Sequence, residues 1–176
     1  MNITTKFLAI PLLFWCVSTP LQASEEDSLE YKIHLYPLNG SGVRGEAEIE
    51  IKKGNTIKIS LEAEGLEIDR PHPQHIHGLS NPVREATCPD ISADVNADGL
   101  ISVGEGLPFY GPIVLPLTPF DLVSANGELR YEAKFSINPA TVQPIGKRSI
   151  VLHGMTVNGT YIPSLPIACG TVEVDD

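Results

Sequence analysis

Twelve residues, DVNADGLISVGE (94–105), carry oxygen donors at the spacing that wraps a calcium ion. Asp94, Asn96 and Asp98 stand at the first, third and fifth ligand positions. Gly99 occupies the sixth, where the chain must turn sharply, and Leu100 offers its carbonyl at the seventh. Ile101 is the usual apolar eighth residue, Ser102 the ninth, and Glu105 the twelfth, where a carboxylate binds through both oxygens. Calcium is a hard cation that takes six to eight oxygens, and this spacing brings them to one point. The pattern therefore predicts a calcium site at Asp94, Asn96, Asp98, Leu100, Ser102 and Glu105. The competing reading is a solvated, metal-free Asp/Gly-rich turn. The flanks are not those of a sensor. CPDISA (88–93) allows one helical turn with Pro89 at its start, and Gly104, Gly106 and Pro108 are expected to stop a helix quickly after the loop. A calcium sensor opens two long helices, so the expected role here is a static brace.

Histidines form the second group. HPQHIHGL (72–79) carries His75 and His77, and alternate residues of a strand share a face, so both imidazoles can meet one metal. By itself this pair is weak, and a short polar strand face is the commoner explanation. SIVLHGM adds His153 in an apolar strand, where a single histidine is most often hydrogen-bonded core.

The elements that must position these groups are strands. EYKIHLYPL (30–38), VRGEAEIEIKK (43–53) and NTIKISLEAEG (55–65) alternate apolar and polar residues, the period of half-buried antiparallel strands. NGSG (39–42) and KGN (53–55) supply turns between them. Further strands are expected at 74–78, 127–137, 148–157 and 169–174, with no long amphipathic helix. Seven or eight short strands in one chain favour an all-β Greek-key sandwich or barrel. The stretch from Gly78 to about Phe120, rich in Pro, Gly and Asp, is a long insert that must be braced or functional.

The first residues read as an address. Lys6 precedes the apolar run Phe7 to Val17, too short to span a bilayer, and LQAS follows with Ala23 before a cleavage point. Residues 1–23 are therefore expected to be a secretory signal peptide and 24–176 one exported domain of about 150 residues. Cys16 leaves with the signal, so Cys88 and Cys169 remain, and export allows them to pair. Two buried thiols are the alternative. The formal charge is −10. No basic run appears, which excludes nucleic acid as the expected partner, and no later stretch is apolar enough to be an integral membrane segment. Metal ions are the expected partners.

The order of landmarks carries a resemblance. NGSGVRGEAEIEI, ISLEAEGLEIDRPHPQHIHG, Cys88, RSIVLHGM and LPIACGTVEV resemble, in sequence, the copper/zinc superoxide dismutases. That group has an early Gly-rich hairpin, a His-x-His strand, a loop cysteine bonded to a late Ala-Cys-Gly, and a late strand with a copper histidine. The resemblance implies a superoxide dismutase-like sandwich, copper ligation by His75, His77 and His153, and a Cys88–Cys169 disulfide. HIHG followed by FYGPIVLPL is also similar to bacterial secreted proteins with a CHRD (chordin-type) domain. Two departures stand out. The bridging histidine and the remaining zinc ligands belong between Gly78 and Leu152, where this chain has no histidine. The arginine that guides superoxide belongs just before the last cysteine, where the chain reads SLPIAC. The expectation is an exported, calcium-stabilised, metal-binding sandwich that is not an active dismutase, the calcium loop replacing the zinc subloop. The alternatives are a copper carrier and a copper-dependent redox enzyme built on the three histidines.

Overall fold

A computed structural model describes residues 28–52, 56–80, 83–120 and 122–174. The expected signal segment 1–23, with Cys16, and the expected KGN turn (53–55) lie outside the described residues. In chain order the elements are β1 (Leu29–Pro37), β2 (Arg44–Lys52), β3 (Thr56–Glu64), β4 (Gln74–His77), β5 (Leu79–Ser80), β6 (Val83–Arg84), α1 (Val103–Tyr110), β7 (Ile113–Pro116), β8 (Leu129–Ser136), β9 (Ser149–Val157), β10 (Thr160–Thr171) and β11 (Glu173–Val174). Short 3-10 turns lie at Ile91–Ala93, Pro139–Thr141 and Ile145–Lys147.

One antiparallel sheet runs β7-β4-β9-β10-β1-β2-β3-β8, with β11 added to β1 and with β5–β6 a separate pair. The sheet curls so that its two halves share a core. Ile33, Ile49, Ile59 and Leu61 from β1–β3 meet Ile76, Ile150, Leu152 and Ile167 from β4, β9 and β10. These are the apolar positions of the period-two runs. Their neighbours Lys32, His34, Glu46 and Glu48 stay exposed, as alternation requires. On the outer face of β4, β9 and β10 a smaller cluster of Leu38, Tyr110, Val151 and Cys169 packs with Cys88. There the insert lies down on the sheet.

Two expectations need correction. A helix does form from the last residues of the loop onward, over Val103–Tyr110, with Pro108 inside it. Ser102 and Glu105 make a reciprocal capping box at its start, and Tyr110 at its end is fully buried. Capping and burial together outweigh the poor propensity of two glycines and a proline. The last long strand begins at Thr160 and not at Cys169. Pro163 and Pro166 hid it, since proline cannot donate to a ladder. The register of β10 against β9 shifts between Ile162 and Pro166 and again before Ala168, and bulges of this kind tolerate proline.

Candidate metal centre

Pairing of β4 with β9 sets His75 opposite Val151 and His77 opposite Ser149. The Pro166↔His153 pair places His153 on the same outer face, two residues beyond Val151. One ring nitrogen from each of His75, His77 and His153 lies within 4.8 Å of the other two. Ring centroids are 5.2 to 5.8 Å apart.

Each ring has one buried nitrogen without a partner: Nδ1 of His75, Nε2 of His77 and Nε2 of His153. The opposite nitrogens of the two deeper rings are taken. His77 Nδ1 donates to Gly111 O at 2.8 Å. His153 Nδ1 donates to Ser164 O at 2.9 Å, a carbonyl in the stretch of β10 where the register against β9 is interrupted. These bonds fix the tautomers and leave the Nε2 lone pairs facing the common centre. Buried polar atoms without partners are rare in folded proteins and call for an explanation such as an ion. Metal–imidazole bonds of about 2.0 Å hold ligand pairs no more than about 4 Å apart, so the rings need close by under about 1 Å. The residues present therefore fit a tri-imidazole ion such as copper or zinc.

Electrostatics agree with that role. Burial pushes His153 down to about 3, with the neighbouring rings adding to the effect and the Ser164 carbonyl opposing it. Burial, then the His77 charge, pushes His75 down to about 4. His77 is also lowered by burial, against the pull of Gly111 O. All three are neutral at pH 7, as ligation requires. The unfolded chain protonates each ring near its ordinary value of about 6.5. The folded chain does so only near the lowered values. Stability of the metal-free protein is therefore full above about 6.5 and declines as pH falls toward 4 and 3. Thermal unfolding from neutral pH to about pH 4 should show that decline. Replacing both His75 and His153 by glutamine should reduce it, and an identical acid slope in that variant would refute the assignment.

The groups that touch and orient the rings come from the insert. Tyr110, fully buried at the end of α1, sets its ring 4.8 Å from His77, and burial raises its hydroxyl to about 12. Phe120 packs edge-on to His75 at 5.6 Å. Gly111 has φ +80°, and a Cβ there would meet Gly78 C and O at 2.5 Å. Gly78 in turn leaves room for the Arg148 guanidinium, which donates to the carbonyls of Leu79, Val142 and Gln143. The absence of a Cβ at Gly111 thus lets the two backbones approach, and Gly111 O reaches His77. Sequence reading missed Tyr110, Gly111, Phe120 and Ser164. Only the YGP tripeptide (110–112) hinted at a special turn. His72 is a strut: its two ring nitrogens face His153 O at 3.1 Å and Glu67 O at 3.0 Å.

The 94–105 loop is wound on itself. Asp94 accepts from Asp98 N and Gly99 N, Asn96 from Asp98 N, and Asp98 from Leu100 N. Glu105 reaches back to Val95 N, Asn96 N and Ser102 N, and hydrogen bonds from Ser102 hold its carboxyl below the usual range. Ala97 and Gly99 both have positive φ. Asn39 grips the loop from the turn between β1 and β2: its amide accepts from Ile101 N and donates to Ile101 O and Pro166 O. Cys88 and Cys169 form a disulfide, Cα atoms 5.7 Å apart. Among the described residues no helix is long and apolar enough to cross a membrane.

Curled sheet, disulfide and outward histidine trio together define a superoxide dismutase-like architecture. Comparison with solved structures gives the same fold. The Cu(II) structure of superoxide dismutase 5 from Candida albicans matches with TM-score 0.52 and 19% identity, covering 85% of this chain and 94% of that one. A variant of the same enzyme matches at TM-score 0.48, with 19% identity over 85% and 93%. No family profile and no curated protein matches the chain.

Proposed function

We propose that this chain is an exported copper-binding protein on the superoxide dismutase fold. His75, His77 and His153 hold the ion, the 94–105 loop is braced by calcium, and turnover of superoxide is far below that of a dismutase. The observation that supports copper ligation is the set of three buried, partnerless ring nitrogens aimed at one point. Copper supplies one-electron redox chemistry where it binds. The chain supplies two tautomer-locked imidazoles, a third that is partly buried, and an apolar wall of Tyr110 and Phe120.

Weak dismutation follows from the chemistry that the sequence lacks. No histidine stands between Gly78 and Leu152 to act as a bridging proton donor. Pro166 and Ile167 stand where the resemblance puts a guiding cation. Calcium bracing is supported by the ligand spacing and by carboxylates already turned into the loop. An affinity in the extracellular range of about 10⁻⁴ to 10⁻³ M would suit it. The disulfide suits a secreted or periplasmic setting.

The test is copper titration of the exported protein, followed by superoxide removal by the loaded form. One equivalent bound with slow removal is the expected result. Fast copper-dependent removal would establish the second reading, a redox enzyme, which the fold of the Cu(II) dismutase structure favours. Absence of copper binding would sink both.

A further inference from the structure

We infer that calcium in the 94–105 loop and the metal ion on the histidine trio bind cooperatively, with helix α1 as the coupling element. The inference rests on the proposed reading of both sites and adds their mutual regulation. Both ends of α1 are committed. At its start, Ser102 and Glu105 are the ninth and twelfth residues of the calcium pattern and also the helix cap. At its end, Gly111 N donates to Leu107 O, while Gly111 O accepts the His77 Nδ1 proton. Tyr110 lies against the same imidazole. About 12 Å of helix separates the two ends.

Little along α1 can absorb a shift. Thr87 N donates to Phe109 O, next to the disulfide-bonded Cys88. Gly78 N donates to Pro112 O, so the strand that bears His77 is tied to the segment that follows the helix. Asn39 holds Ile101 by both backbone groups just before the cap. An isolated two-turn helix is unstable in water and depends on its ends and its packing. In the loop, Glu105 serves the backbone N–H groups of Val95, Asn96 and Ser102, all exposed or partly so. A calcium ion would replace this weak network with direct ligation and hold the start of α1 in place. Held there, α1 presents Gly111 O to His77 permanently, which fixes the tautomer and strengthens Nε2 as a ligand. A fraying helix gives that up in part. Calcium therefore tightens metal binding at the trio, and the trio metal tightens calcium by the same factor.

The experiment uses the oxidised exported protein stripped of metal. Cu(I) affinity is measured by competition with a chromophoric chelator, with and without millimolar calcium, with magnesium as control. Melting temperature of the copper-free protein reports calcium binding separately. The expected result is a calcium-dependent rise in melting temperature together with copper binding about fivefold tighter or more. Slower exchange of the His77 Nδ1 proton by NMR should accompany it. Asp98→Ala, which removes a loop carboxylate outside α1, should bind copper at the calcium-free level and respond to calcium in neither measurement. If calcium raises the melting temperature but leaves copper affinity unchanged, the sites are independent and the coupling is refuted while the loop reading stands. If calcium changes neither, the calcium reading itself fails and the coupling falls with it.

Discussion

Replacing His153 by alanine is expected to weaken copper binding by about a hundredfold or more. Loss of groups that merely support a ligand costs 10- to 100-fold, and this change removes a ligand. His153 is 4% exposed and its Nε2 has no protein partner. The variant therefore keeps two imidazoles and no third nearby to recruit, since His72 is committed to two carbonyls. The backbone of β9 stays paired on both sides, which separates a ligand effect from misfolding. Circular dichroism and copper competition on the same samples read the two. His34→Ala is the control: it lies on an exposed face, 3.6 Å from Glu46, and should leave affinity unchanged. Equal copper affinity in the His153 variant and the parent would remove the trio as the site.

Opening the disulfide should have the largest effect on stability. Cys88 and Cys169 are 81 residues apart in sequence. On the chain-entropy account, closing a loop of that length stabilises by roughly 4 kcal/mol. For a domain of this size the loss corresponds to a fall of about 10 °C in melting temperature. Cys88→Ser with Cys169→Ser should show it without reductant. Thiol titration of the unfolded, unreduced protein should find no free pair. Two titratable thiols, or a double variant as stable as the parent, would overturn the role given to this bond. The buried sulfur of Cys169 packs with Tyr110 and Val151, so the same variant loosens the layer that covers the trio.

Much of this architecture was legible because burial on one face of a strand writes itself into alternate residues. Ile33 and Leu35, then Ala47, Ile49 and Ile51, then Ile57, Ile59, Leu61 and Ala63 sit inward as their spacing demands. His75 and His77 were readable as one-faced for the same reason. That His153 joins them depends on which strand pairs with β4, a long-range fact that no local pattern carries. α1 was misread since its stability comes from Tyr110 packing and from the Ser102–Glu105 cap, and local propensity weighs only Gly104, Gly106 and Pro108. β10 was cut short by prolines that a bulge accommodates. Gly111 was invisible because its contribution is a backbone carbonyl, a group every residue has. Only its close approach to Gly78 makes it special.

Exposure is unequal among the three rings: His77 and His153 are nearly sealed, at 3% and 4%, while His75 is half-buried beside Phe120. An ion held by the trio would meet solvent chiefly on the His75 side, where the ring edge is open while its Nδ1 is as buried as the two inner nitrogens. The side chain that would have to give way on exit is then His75, with the Phe120 ring packed edge-on to it, since the inner pair is sealed. Transfer to an acceptor would accordingly run through the outer ring, even where equilibrium affinity is high. Stopped-flow removal by a chelator in the parent and in Phe120→Ala reads this exit step, and equal rates would place the barrier deeper in the site.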